Sequence, residues 1–77
     1  MKKIYRIELD AFDLGQALDG LETRAEAWEI TAAYHRTGES PPDFIVETCN
    51  DAVEADKIAN HYRSIIAKIR NQQQDQS

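Results

Sequence analysis

KIYRIELDA, residues 3–11, alternates. Tyr5, Ile7, Leu9 and Ala11 fall on one side of an extended chain, and Arg6, Glu8 and Asp10 on the other. A period of two is the mark of a half-buried strand, and the fold class turns on whether this strand finds another. FIVETC, residues 44–49, offers one, being apolar and rich in β-branched side chains.

Between the two lies a helical stretch. Asp13 is placed to cap free amides, with Gln16 three residues on as the return partner of a capping box. Gly38 suits a left-handed closing residue, and Arg36 favours the negative end of the helix dipole. Gly15 and Gly20 each cost about 1 kcal/mol relative to alanine inside a helix, which predicts a kink or a broken first turn near Asp19-Gly20. The paired prolines of Glu39-Ser40-Pro41-Pro42-Asp43 forbid regular structure there. Asn50 or Asp51 then opens a second helix that runs to about Gln72.

At about 100° per residue, Leu14, Leu18, Leu21, Ala25, Trp28 and Ala32 share one sector of the first helix. Trp28 is therefore a core residue, packed on Ile7, Leu9 or the second strand, with an indole N–H that needs an acceptor. Ala55, Ile58, Ala59, Tyr62, Ile65, Ile66 and Ile69 form the apolar face of the second helix. The order β-α-β-α describes an α+β domain over residues 1–72. Its two strands most easily lie parallel through a right-handed crossover, with both helices on one face. Residues 73–77 make a polar tail.

A chain of 77 residues is a single domain, and at this size one core is barely sufficient. No apolar run is long enough for a membrane span, and acids follow the first apolar residues too soon for a secretion signal. One cysteine excludes an intramolecular disulfide and a cysteine-based zinc site, which points to the cytoplasm. The net charge of −5 conceals an uneven spread. Residues 8–56 carry 13 acids against Arg24 and Arg36, whereas both ends are basic. Such a middle repels phosphates and attracts basic partners. The second helix holds four positive side chains on two flanks, a poor footprint for nucleic acid.

Two features of the first helix fall outside its core stripe. Ile30 and Tyr34, bordered by Thr23 and Ala27, form a candidate contact patch that is an interface, ground covered by the second helix, or ordinary exposed surface. Glu22, Glu26 and Glu29 form an acidic stripe with no lysine following to relieve it, which a basic protein partner would neutralise. Cys49 lies just before a helix N-terminus, with His35 and His61 as conceivable bases, yet a cysteine in a β-branched run reads as a small buried hydrophobe. His35, at the rim of the core stripe, reads as a helix-end residue facing carbonyls. No nucleophile elbow, phosphate loop, cofactor fingerprint or metal-ligand spacing is present.

A two-stranded sheet exposes two edges, and a homodimer removes that liability. The expected function is thus a non-enzymatic protein–protein interaction or regulatory module, dimeric and without cofactor. The alternative is an acidic inhibitor that fills the basic groove of a nucleic-acid-binding protein.

Overall fold

The computed structural model describes residues 2–75 as an antiparallel helical hairpin, α1 over Ala11–Thr37 and α2 over Ala52–Asp75, with no strand among the described residues. The α+β assignment is therefore corrected. Residues 3–9 carry no regular secondary structure and lie beside Leu14, Ala17 and Ile69, at the end of the hairpin formed by the start of α1 and the end of α2. Residues 44–47 lie instead along Thr23–Thr31 of α1. The two segments meet α1 at separate stretches, and neither forms a strand, so they do not pair. Alternation specifies an extended chain with two unlike faces; it does not supply the neighbouring strand that makes a sheet.

What holds the hairpin is legible in the spacing of its apolar residues. Leu14, Leu18, Leu21, Ala25, Trp28 and Ala32 advance by four and three in turn, and so do Ala55, Ala59, Tyr62, Ile66 and Ile69. The average of 3.5 is that of a coiled-coil seam, which keeps one narrow stripe facing another helix. Two clusters result. Trp28, Ala32, Ala55 and Ala59 pack at the loop end, and Leu18, Ala25 and Ile66 towards the open end. Trp28 is buried as its position on the stripe requires, but beneath α2 and not against Ile7 or Leu9. Its Nε1 is buried without an acceptor among the described residues.

Ion pairs flank the seam in the same rhythm. Glu22, Glu29 and Arg36 stand seven residues apart on α1 and meet Arg70, Arg63 and Asp56, seven apart on α2 and running the other way. Arg63 grips Glu29 with both Nη2 and Nε, at 2.7 and 3.0 Å. These pairs set direction and register together, because a slip of one turn would misalign all three.

The helix ends are defined locally. Asp10, not Asp13, caps α1: its Oδ1 accepts from the Asp13 amide at 2.8 Å. The helix thus begins earlier than the pattern indicates, and it runs unbroken past Gly20, because the seam on one face compensates for glycine on the other. Gly38 closes α1 with φ of 78°, its amide donating to Tyr34 O at 2.7 Å. Asp51 opens α2, accepting from the Glu54 amide at 2.8 Å, while Glu54 reaches back to the Asn50 amide at 3.0 Å. Residues 73–75 continue α2, and residues 76–77 of the expected tail lie outside the described residues. The thinnest extent of the molecule is 17 Å, a single layer of helices, so much of each helix faces outwards.

The pH response follows from the flanking pairs. The Arg63 guanidinium, hydrogen-bonded to Glu29, holds that carboxyl below its ordinary range, and Arg36 does the same for Asp56. A lowered folded-state value gives stability that is complete above the unfolded carboxylate pKa of about 4 and lost as pH falls through the folded one. The melting temperature is accordingly expected to drop as pH is taken below 4, and less steeply in Glu29→Gln. Each step stays small, since both pairs are about half exposed and screened by solvent.

Candidate interaction surface

The N-terminal arm presents the largest unburied apolar surface. Ile4 is 93% exposed, Tyr5 76%, Ile7 75% and Phe12 74%, and Leu9 is half-exposed. Isolated exposed hydrophobes are ordinary, but five within nine residues are an unusual concentration. The arm ends at Asp10, whose own backbone is extended, with φ of −73° and ψ of 173°, and which caps α1. Between arm and hairpin lies an open concavity of about 1210 Å³, floored by Leu14, Ala17 and Ile69. That exceeds the range of about 300–1,000 Å³ usual for small-molecule sites, and its open shape suits a polypeptide segment better.

Of the patch expected from Thr23, Ala27, Ile30 and Tyr34, Thr23 and Ala27 lie beside the chain's own connecting segment. Ala27 and Ile30 are half-buried, while Thr23 and Tyr34 are exposed. Thr23 returns its hydroxyl to Asp19 O at 2.9 Å, and the Tyr34 ring meets His35 edge-on. The pin is Thr31, completely buried, whose Oγ1 donates to Ala27 O at 2.8 Å and accepts the Glu47 amide at 2.9 Å. Arg24 adds an ion pair to Glu47 at 2.7 Å. Thr31→Val should remove the acceptor at nearly constant volume, costing about 1–2 kcal/mol or about 5–10 °C in melting temperature. Hydrogen exchange at the Glu47 amide should accelerate in that variant; unchanged protection would mean the segment is held elsewhere.

The acidic stripe lies on the flank of the seam. Glu22 and Glu29 are occupied by Arg70 and Arg63, and Glu26 adds to the field at Arg63 without an ion pair among the described residues. The repulsion evident between Glu22 and Glu26 is thus relieved from α2. Arg63 and Arg70 were readable as its counterpart, at the same seven-residue interval, once the helices are set antiparallel.

The structure brings Cys49 and His35 together, Sγ to Nε2 at 3.3 Å, with Sγ also 3.5 Å from Asp51 O. Partial burial and then the nearby Glu54 carboxylate push the thiol pKa up. A thiol kept protonated is a poor nucleophile, and Cys49 packs against the Trp28 cluster as a small hydrophobe does. His35 therefore meets sulfur, where helix carbonyls were expected.

No protein family, curated protein or solved structure matches the chain. Its surfaces speak for themselves. Among the described residues, no group of three or more His, Cys, Asp or Glu side chains is arranged to hold a metal ion, and no helix is long and apolar enough to cross a membrane. The exposed large hydrophobes are those of the arm and Phe12, the pair of Phe44 and Ile45 on the connecting segment, and Tyr34 and Val53 on the helices. Sequence reasoning missed the arm and the Phe44 and Ile45 pair as surfaces, because alternation in residues 3–9 and β-branching in 44–49 were assigned to a common sheet interior.

Proposed function

We propose that the chain is a non-enzymatic protein–protein interaction module that acts as a homodimer through its N-terminal arm. The observation that carries this reading is the arm itself: a segment with Ile4, Tyr5, Ile7 and Leu9 largely exposed beside an open concavity. A thin two-helix hairpin with a small core gains most from burying such a surface between subunits. The raised thiol and the absence of a catalytic motif favour binding over chemistry. A single free cysteine suits a reducing compartment such as the cytoplasm.

Sedimentation velocity at micromolar concentration tests the reading. The native chain should sediment at twice the chain mass, and Ile7→Asp at the chain mass, since it buries a charge in the contact. A native chain that stays monomeric across the concentration range contradicts it. The acidic-inhibitor reading has less in its favour, because Glu22 and Glu29 already hold arginines of α2.

A further inference from the structure

We infer that two copies of the chain join through an antiparallel two-stranded ribbon of their arms, with the two-fold axis passing at Ile7. The inference rests on the dimer reading above and specifies the register, which charge selects.

With the axis at Ile7, Ile7 faces its own copy once, Tyr5 faces Leu9 and Arg6 faces Glu8 twice each, and Ile4 falls opposite Asp10 at the end of the ribbon, where the chain turns into α1. Residues directly opposite in an antiparallel pair lie on the same side of the ribbon. The Tyr5, Ile7 and Leu9 side chains of both copies therefore share one face, and Arg6 and Glu8 the other. The neighbouring registers are worse. An axis at Arg6 sets Arg6 against Arg6, and one at Glu8 sets Glu8 against Glu8. An axis at Leu9 sets residues 7 and 8 opposite residues 11 and 10, which already form the start of α1, and an axis between residues near the middle of the arm places apolar side chains opposite charged ones. A parallel pairing would bring like charges alongside like.

Neither Arg6 nor Glu8 has an ion-pair partner among the described residues, so both are available to a second copy. A two-stranded ribbon is marginal alone and needs an apolar surface beneath it. The concavity floored by Leu14, Ala17 and Ile69 provides that surface, and the second arm fills the space beside the first. Asp10 limits the ribbon by turning the chain into α1.

The test is a set of charge changes in the full chain, with dimer dissociation constants from sedimentation and helicity by circular dichroism. Arg6→Glu sets two like-charged pairs in place of two attractive ones and should weaken the dimer at least about tenfold. The double exchange Arg6→Glu/Glu8→Arg keeps the native composition and restores the pairing, so it should return within about twofold of native. Lys3→Glu makes the same change in net charge as Arg6→Glu. Lys3 falls opposite Ala11, beyond the ribbon, so its effect should stay within about threefold. All variants should keep native helicity, since the arm lies outside both helices. A dimer indifferent to Arg6→Glu, or weakened equally by Lys3→Glu, or left unrescued by the double exchange, overturns the register while the dimer reading stands. A monomeric native chain overturns both.

Discussion

Replacing Trp28 by alanine is expected to abolish cooperative folding at room temperature. Trp28 is 8% exposed and is the only large side chain among the four buried residues of the loop-end cluster. Truncating a buried tryptophan costs about 3–5 kcal/mol, and a domain this small sits at the low end of the usual range of about 5–15 kcal/mol. Ala32, Ala55 and Ala59 cannot refill the space, because each ends at Cβ. The unsatisfied Nε1 refines the expectation. A buried donor with no acceptor costs about 1–3 kcal/mol, so Trp28→Phe, which deletes the donor and keeps a ring, should be far milder than Trp28→Ala. Thermal melts followed by far-ultraviolet circular dichroism decide the matter. A Trp28→Ala chain that melts within a few degrees of native would show that the cluster does not hold the hairpin.

The complementary change enlarges the residue across the seam. Ala55 is completely buried and belongs to the cluster that holds Trp28. Alanine there lets the helices approach closely enough for the indole to lie between them. Ala55→Leu adds volume to a site with none to spare, at a cost of about 1–3 kcal/mol and about 5–20 °C in melting temperature. The strain should spread the loop end, where the neighbouring Asp56 meets Arg36. An unchanged melting temperature would mean that the helices are not in close contact at Ala55.

The sequence disclosed the parts of this fold more readily than their arrangement. Both helices, the closing role of Gly38, the opening role of Asp51 and the burial of Trp28 follow from local rules, because capping and helical periodicity depend on residues within one or two turns. The partner of each surface is a non-local property, and there the reading failed. Residues 3–9 alternate as a strand does, yet alternation is equally consistent with an arm whose neighbour comes from elsewhere. The overlooked signal was the strict four-three spacing in both helices. Taken as a sheet-facing stripe, it asked for strands; taken as a seam, it asks for a second helix with the same spacing, which Ala55 to Ile69 provide. Glu22, Glu29 and Arg36 opposite Arg70, Arg63 and Asp56 repeat that message in charge. The contact patch was only partly legible because the segment beside it is irregular and pinned through Thr31, a residue whose type gives no hint of complete burial.

The most direct test of the hairpin is the set of nuclear Overhauser contacts made by the Trp28 indole ring. The hairpin predicts cross-peaks from the ring to the methyl groups of Ala55 and Ala59, which share its cluster beneath α2. It also predicts none to Ile7 or Leu9, which lie at the other end of the molecule beside Leu14 and Ile69. Cross-peaks from the ring to Ile7 and Leu9, accompanied by cross-strand contacts between residues 3–9 and 44–49, would contradict the hairpin and restore a sheet.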